Sequence, residues 1–252
     1  MDHCPIPRRL AGEVSDARAE PEARLAGGMS ADERIERARL LYERSIFGDD
    51  ASVLAVADRE LDAVEADLAL ARGRILHGRF LAQRIRDPQP AEDPRELALF
   101  ERAAQLYREL GDVRGEAESL FWIGCFHQIV RRDHDAAVPV LDRSCELAAR
   151  CGDQPTMSDA LRHLGIAEHA AGRPGAARER LEESVRIRRE IGHMPGVAAN
   201  LVGLAYVAAG QGRRDEALAL AEEAAAIAEA SEAPVIARQV EEVRAHIAAG
   251  RP

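Results

Sequence analysis

Three of the eight histidines, His127, His163 and His169, are the first candidates for acid–base chemistry or for holding a metal ion. An imidazole titrates near neutral pH and is also a common metal ligand. His163 and His169 are six residues apart, which places them on different sides of a helix. The sequence contains no His-Glu-x-x-His motif. This spacing favours packed or surface histidines, so we expect neither a metal site nor a cofactor.

The cysteines and glycines also lack the spacing of familiar reactive sites. Cys4, Cys125, Cys145 and Cys151 include no Cys-x-x-Cys pair, so reduced thiols are the simplest interpretation. The sequence has no P-loop, no glycine-rich dinucleotide-binding loop and no Gly-x-Ser-x-Gly motif. We therefore expect a binding protein rather than an enzyme, and we assign no catalytic residue.

The composition argues against several classes of partner. The formal net charge is −10, whereas proteins that bind nucleic acids usually present a basic surface. The same charge disfavours an anionic membrane surface. No stretch approaches the roughly 18 uninterrupted apolar residues of a membrane-spanning helix, and the first residues lack the apolar segment of a signal peptide. We expect a cytoplasmic protein with no nucleic-acid or membrane partner.

A repeated pattern of apolar and small residues must position any binding residues. Its spacing is 41 residues between the first two copies and 40 between the later ones. Such a period predicts stacked helical repeats, each with two helices joined by a glycine turn. The recurring positions are Phe100, Ala103, Leu106 and Gly111, then Leu141, Ser144, Leu147 and Gly152, then Leu181, Ser184, Ile187 and Gly192, and finally Ala221, Ala224 and Ile227.

The pattern divides the chain into four segments. Residues 1–29 lack periodicity, which predicts a disordered leader. Residues 30–92 are predicted to form helices that pack on the array, and a degenerate repeat is one interpretation of them. The helix from about Ser52 to Ile85 has weak points at Gly73, at Gly78 and near Asp58, where a kink or break is allowed. Residues 93–231 hold the repeats, and residues 232–252 form a C-terminal capping helix and tail.

Small residues and leucines recur at matching places in two successive copies, namely Leu164-Gly165, Gly172, Ala177, Leu181 and Ser184, and again Leu204-Ala205, Gly212, Ala217, Ala221 and Ala224. This pattern resembles the tetratricopeptide repeat. Gly124 takes the place of Gly165 in the preceding copy, with a slip of one residue. The period exceeds the usual length of about 34 residues, and the large aromatic residues and closing proline of the consensus are mostly missing. Long repeats of this kind are similar to those of bacterial, especially actinobacterial, signalling and regulatory proteins.

The resemblance implies an all-α fold, a right-handed α-solenoid of stacked antiparallel helix pairs. In such arrays the first helices line a concave groove that binds peptides or partner helices. Arg162 would pair with a carboxylate of the partner, and Tyr206 and Phe121 would anchor apolar side chains. The slip at Gly124 leaves Trp122 and His127 as alternatives. The implied groove residues are Glu118, Phe121, Cys125, Gln128, Asp159, Arg162, Ile166, His169, Asn200 and Tyr206.

Three functions are compatible with these features. We expect a protein-interaction or regulatory module whose partner is a protein or a peptide. One alternative is a small-molecule-binding or catalytic protein of a bacterial secondary-metabolite pathway, which would use the same groove as a pocket. Another is a self-associating scaffold in which the terminal helix pairs between chains. The irregular stretch from Phe121 to Gln128 is the first place to look for a specialised role.

Overall fold

The computed structural model describes residues 29–87 and 90–250, and these residues form ten α-helices and no strand. The predicted leader, residues 1–29, lies outside the described residues except for Met29. A short 3-10 turn, Ala51–Val53, precedes α2. The helices are α1 Ala31–Phe47, α2 Leu54–Arg84, α3 Pro94–Leu110, α4 Val113–Cys125, α5 His134–Cys151, α6 Gln154–Ala170, α7 Pro174–Glu190, α8 Met194–Gly210, α9 Arg214–Ala230 and α10 Pro234–Ala248.

The turns between helices give the chain its period. A residue with left-handed backbone recurs every 20 positions from Gly152 (φ 72°) to Gly212 (φ 73°). Glycine adopts this conformation without the Cβ clash that other residues suffer, so it suits the position after a helix. Arg132 (φ 56°) and Glu232 (φ 50°) occupy the equivalent position without being glycine. Two such turns, and the two helices that they end, make one 40-residue repeat.

One helix departs from this spacing. A π-helical turn, Phe126–Val130, follows α4. Each hydrogen bond of a π-helix joins residues five positions apart, instead of four as in an α-helix. A π-helical turn therefore accommodates one additional residue. The amide of Arg131 accordingly donates to the carbonyl of Phe126 at 3.2 Å. The additional residue accounts for the 41-residue spacing and for the slip at Gly124.

Glycines within the first helices let the second helices approach closely. A Cβ built on Gly165 would lie 2.8 Å from Cγ of Leu181, and one on Gly124 would lie 2.5 Å from Cγ of Leu141. Both leucines are almost fully buried. Burying a leucine side chain contributes about 1.5–3 kcal/mol, which exceeds the cost of about 1 kcal/mol for glycine inside a helix. The exchange therefore stabilises the pair of helices.

Helix α2 is continuous over its 31 residues, without a break at Gly73, at Gly78 or near Asp58. Gly73 makes the same close approach as the repeat glycines, because a Cβ there would lie 2.5 Å from Cε1 of Phe100. Phe100 in turn occupies the repeat position of Leu141. Helices α2 and α3 therefore pack by the contact that joins the later pairs.

The pairs α2–α3, α4–α5, α6–α7 and α8–α9 stack side by side, and α10 packs against both α8 and α9. The all-α solenoid of stacked antiparallel helix pairs is thus confirmed. The first helix of one pair approaches the first helix of the next directly, α4 to α6 and α6 to α8. Helix α10 continues this row beside α8. Second helices show no comparable approach within the described residues, so the first helices lie on the inner, concave side. In residues 29–87 and 90–250, no helix has the length and apolar character needed to cross a membrane.

Candidate functional site

A cavity opens on the concave side between α6, α8 and α10. Its volume is about 350 Å³, and most of its wall is aliphatic. Polar groups enter it from α6 and from α10, at opposite sides of the opening. A volume near 300 Å³ is the lower end of the range for small-ligand pockets. The lining residues are Arg162, Gly165, Ile166, His169, Leu181, Ala199, Val202, Gly203, Tyr206, Val207, Gln239 and Glu242.

Arg162 is the charged group at the base of this cavity. Its Nη1 donates to the carbonyl of Ala199 at 2.7 Å and to Oδ1 of Asn200 at 3.0 Å. Both acceptors are neutral, and no carboxylate among the described residues forms an ion pair with Arg162. Burial, followed by the charge of Arg188, lowers the pKa of Arg162 to about 10. The side chain nevertheless remains a cation at pH 7.

Asn200 holds this arginine in place from α8. Its side chain is fully buried, and its Oδ1 accepts from both Arg162 and Arg188, the latter at 3.1 Å. Its Nδ2 donates to Oγ of Ser184 at 2.7 Å, and that hydroxyl donates to the carbonyl of Ser158 at 2.6 Å. Every polar atom of the Asn200 side chain therefore has a partner, which fixes its rotamer.

Arg188 differs from Arg162 because it has a carboxylate partner. Its Nη2 donates to Oδ1 of Asp159 at 2.5 Å, and its Nη1 donates to the carbonyl of Gly196 at 2.8 Å. Two guanidinium groups thus share one carboxylate and one amide oxygen. The cluster keeps one uncompensated positive charge, and Arg162 presents it to the cavity.

Rings and acceptors line the rest of the cavity. The ring of Tyr206 lies 5.1 Å from that of His246, centroid to centroid. Burial and the charge of Glu242 raise the pKa of Tyr206, so its hydroxyl stays protonated. Burial and the charge of His246 lower the pKa of His169, which therefore contributes a neutral imidazole at pH 7. Glu242 and Gln239 stand at the rim on α10.

The predicted groove residues do not all lie on the surface. Arg162, Ile166, His169 and Tyr206 line the cavity, and Asp159 lies beside it as the partner of Arg188. Glu118 is far along the array, where it pairs with Arg74. Phe121, Cys125, Gln128 and Asn200 are buried, with exposed fractions of 7%, 2%, 4% and 0%. These four are a correction to the prediction, because α5 and α6 cover the first three and α6 and α7 cover Asn200.

Trp122, the alternative groove residue, lies half-buried among aromatic rings. Its ring stacks on Phe100 at 5.8 Å and meets His77 edge-on at 5.4 Å. The guanidinium of Arg74 lies over its face, 5.4 Å from the ring centroid. These contacts make Trp122 part of the packing between α2, α3 and α4.

A second polar cluster fills the interface between the π-helical turn and α6. Nδ1 of His163 donates to Oε1 of Gln128 at 2.5 Å, and Nε2 of Gln128 donates to the carbonyl of His163 at 2.9 Å. The same amide approaches Nδ1 of His134 at 3.3 Å. Sγ of Cys125 lies 3.6 Å from Nε2 of His163. With Nδ1 as donor, Nε2 is an acceptor, and the thiol supplies its proton.

This second cluster is neutral. Burial, then the charge of Arg162, lowers the pKa of His163 to about 3. Burial raises the pKa of the Cys125 thiol. A nucleophilic cysteine needs a stabilised thiolate, and these shifts oppose one, so the pair is a packing contact. Across the two ranges that the structure covers, no three His, Cys, Asp or Glu side chains are grouped so as to hold a metal ion.

Arg188 and Ser184 are site residues that were not predicted, because both lie on a second helix. A signal for Arg188 exists in the sequence. Residues 40 positions before and after it are Ala148 and Ala228, so a long cation replaces a small apolar residue. Asn200 gives the same signal, since Ala160 and Val240 flank it at that distance. Polar residues that interrupt an apolar repeat position mark this site.

Comparison with known proteins places this architecture. Residues 122–190 match the family model of the tetratricopeptide repeat. The comparison with curated proteins gave no match. Among solved structures, the fold is similar to that of aspartyl phosphate phosphatase F from Bacillus subtilis, with a TM-score of 0.61 and 9% sequence identity. The similarity covers 86% of this chain but only 55% of the phosphatase.

Two further structures have a similar fold. The apo form of RapI gives a TM-score of 0.57 at 15% identity, covering 81% of this chain and 72% of that one. A Rap protein complexed with competence and sporulation factor also gives 0.57, at 14% identity, covering 87% of this chain and 59% of that one. At these identities the likeness describes the fold alone.

Proposed function

We propose that this chain, which belongs to the tetratricopeptide-repeat family, binds a peptide segment of a partner protein in the cavity between α6, α8 and α10. The segment carries a carboxylate that pairs with Arg162 and an adjacent aliphatic side chain that fills the apolar wall. The observation that carries this proposal is the uncompensated charge of Arg162, held in a mostly aliphatic cavity by neutral acceptors. We expect the interaction to be regulatory and to take place in the cytoplasm.

The geometry of Arg162 suits a carboxylate. Both of its described hydrogen bonds use Nη1, so Nη2 and Nε remain for a ligand. These two nitrogens form the fork that a carboxylate meets with two parallel hydrogen bonds. A half-buried site makes such a pair stronger than an exposed one, because water competes less for the charges.

The aliphatic wall of the cavity determines which side chain of the partner fits next to its carboxylate. Ile166, Val202 and Leu181 supply aliphatic surface close to the guanidinium, and Tyr206 closes the side next to α10. A single Leu, Ile or Val side chain fits a cavity of this size and leaves room for the carboxylate. Glu242 at the rim disfavours a second acidic residue on that side. The expected ligand therefore pairs one acidic group with one aliphatic group.

The fold relatives are consistent with this use. One Rap protein with a similar fold was crystallised in complex with competence and sporulation factor. An array of this shape can therefore hold another molecule, although the similarity extends to only 59% of that protein. The alternative of a small-molecule ligand makes use of the same Arg162 contact, and the experiment below separates it from a peptide.

Selection from a random peptide library displayed on phage tests the proposal. We expect peptides selected on the wild type to share an acidic residue, or a free C-terminal carboxylate, next to an aliphatic one. Arg162→Gln should weaken their binding by about 10- to 100-fold, since charge-assisted hydrogen bonds contribute about 1.5–3 kcal/mol. Arg186→Gln is the matched control, because Arg186 is exposed and pairs with Glu183 and Glu190 on α7.

Three outcomes would contradict this proposal. Selected peptides without an acidic group would remove the role of Arg162. Equal loss in both variants would indicate nonspecific electrostatics. If no peptide is selected while native mass spectrometry of the purified protein detects a small carboxylic acid that Arg162→Gln loses, the cavity is a metabolite pocket.

A further inference from the structure

Helix α2 carries an apolar stripe that runs its full length but is covered only in part. Its N-terminal half packs against α1, where Arg34 and Arg37 both pair with Glu60. Helix α1 has 17 residues and α2 has 31. Antiparallel helices of such unequal length leave about half of the longer one without that neighbour. The uncovered part of the stripe continues toward Arg84.

The uncovered part of the stripe has the surface of a helix–helix contact. Leu68 and Ile75 are 48% and 60% exposed. Ala71, Gly78 and Ala82 lie on the same face at helical spacing and are also exposed. A Cβ on Gly78 would meet nothing within 4 Å. Small residues of this kind let a second helix approach closely, with the two larger side chains as anchors.

A groove between α2 and α3 adjoins this stripe and is bordered by arginines. The groove has a volume of about 630 Å³ and includes Ile75. Arg72 and Arg79 are exposed and stand seven residues apart, on one side of α2. Arg72 has no hydrogen bond or ion pair with the described residues, and Arg79 has only the longer-range attraction of Asp93. The remaining lining residues are Leu76, Pro94, Arg95, Ala98 and Leu99.

The charges at this surface argue against a second copy of the chain. If two α2 helices crossed antiparallel at Ile75, Arg72 of one copy would lie beside Arg79 of the other. Like charges placed together across an interface cost free energy. The protein as a whole has a formal net charge of −10, so two unpaired arginines beside an apolar stripe are a local exception. These arginines are complementary in charge to acidic side chains that flank an apolar stripe on a partner helix.

We propose that this α2 surface, Leu68 to Ala82 with Arg72 and Arg79, is a second docking site, for an amphipathic helix of a partner protein. The helix lies along α2 beyond the end of α1, where the preceding helix of a longer solenoid would lie. Its apolar residues contact Leu68 and Ile75, and its acidic residues pair with Arg72 and Arg79. The site is separate from the concave cavity and does not depend on Arg162.

Two synthetic helical peptides of 18 residues test this site by fluorescence anisotropy. Both have a leucine stripe, and one has Glu and the other Lys at the flanking positions. We expect the full chain to bind the Glu peptide at least about 10-fold more tightly than the Lys peptide. Arg72→Glu combined with Arg79→Glu should reverse this preference. Ile75→Asp should abolish binding of either peptide while circular dichroism stays unchanged.

Matched controls exclude effects of overall charge and apolarity. Arg143→Glu combined with Arg150→Glu alters two arginines that are also seven residues apart, on α5, and should leave the Glu preference intact. Val235→Asp places an acid at an apolar position on α10 that is 54% exposed, and should also leave binding unchanged. Arg162→Gln should have no effect on either peptide, which separates this site from the concave cavity.

Other occupants of the surface give different results, and each would overturn the proposal. A dimer in sedimentation velocity that Ile75→Asp dissociates would identify a second copy as the occupant. Hydrogen exchange that rises in residues 1–28 when Ile75→Asp is introduced would identify the N-terminal segment of the chain. Equal affinity for the Glu and Lys peptides, or no binding of either at about 1 mM, would show that the surface does not select an acidic helix.

Discussion

The two polar clusters between first helices differ in charge and in access. The cluster at α6 and α8 has two arginines, one carboxylate and one amide, and Arg162 opens it to a cavity. The cluster at the π-helical turn joins His163, Gln128 and Cys125 as neutral groups. The members of both clusters are buried or half-buried, and both clusters are well hydrogen-bonded. Only the first cluster keeps a positive charge without a carboxylate partner, and that charge is the reason why we propose binding there and not at the second cluster.

The comparison predicts that the largest loss of stability follows from removing the amide that the two arginines of the charged cluster share. Asn200→Leu removes the shared acceptor of Arg162 and Arg188 and leaves Ser184 without its donor. Arg162 keeps the Ala199 carbonyl, and Arg188 keeps Asp159 and the Gly196 carbonyl. The loss is therefore that of buried hydrogen bonds to charged groups, and we expect it to be about 1.5–3 kcal/mol in the free energy of unfolding. Urea denaturation followed by circular dichroism measures it.

Arg188→Ala provides the control for this prediction. Because Arg188 and Asn200 share a hydrogen bond, the losses in the double variant should be smaller than the sum of the single losses. Additive losses would contradict the shared network. Ser144→Ala, at the repeat position of Ser184 in the preceding pair, gives the cost of removing a hydroxyl whose bond to the Ala117 carbonyl lies outside the charged cluster.

The neutral cluster should make the free energy of unfolding depend on pH. The pKa of His163 is about 3 in the folded chain and near 6.5 when exposed. The unfolded state therefore binds a proton between these values and the folded state does not, so stability falls as the pH drops below about 6.5. The slope approaches about 1.4 kcal/mol per pH unit for one proton. His163→Gln should flatten this dependence.

Urea denaturation at pH 7, pH 6 and pH 5 tests the acid prediction. The wild type should lose about 1 kcal/mol more than His163→Gln between pH 6 and pH 5. His169→Gln is the matched control, because His169 is exposed at the rim and should leave more of the pH dependence in place. Parallel pH profiles for the wild type and His163→Gln would contradict a buried neutral imidazole.

The smallest expected change concerns Arg162 in the unliganded protein. A half-buried cation with only neutral acceptors contributes little to folding, and replacing such a group by an apolar one is often neutral or stabilising. We expect Arg162→Met to change the free energy of unfolding by less than about 1 kcal/mol, in either direction, while it abolishes peptide binding. A loss above about 3 kcal/mol would show that Arg162 is a structural residue.

The repeat could be predicted from the sequence because its signals are local. Glycine turns every 20 residues and the contact of Gly165 with Leu181 depend on residue size and backbone conformation. The same register placed Arg162 and Tyr206 in the predicted groove, and both residues line the cavity. It could not predict that Cys125 and Gln128 are buried, since their exposure depends on how closely α6 packs against the π-helical turn.

Hydrogen bonds between residues far apart in the sequence were the second feature that could not be predicted from the sequence. Arg188 lies on α7, and its bond to Asp159 joins residues 29 positions apart. No helical periodicity predicts that a second-helix arginine bonds to side chains of two first helices, Asp159 on α6 and Asn200 on α8. The one-residue slip at Gly124 did indicate an irregularity, but it gave no indication that a π-helical turn would accommodate it. The repeat geometry could thus be predicted from the sequence, and the pairing of buried polar groups could not.

The most direct test of the central claim is a double-mutant cycle, in which the acidic residue of one selected peptide and Arg162 are replaced singly and together. The acidic residue of the peptide is replaced by its amide, and isothermal titration calorimetry measures both peptides on the wild type and on Arg162→Gln. We predict that the amide weakens binding to the wild type by about 10-fold or more and leaves binding to Arg162→Gln unchanged. An equal loss on both proteins would show that the carboxylate does not contact Arg162.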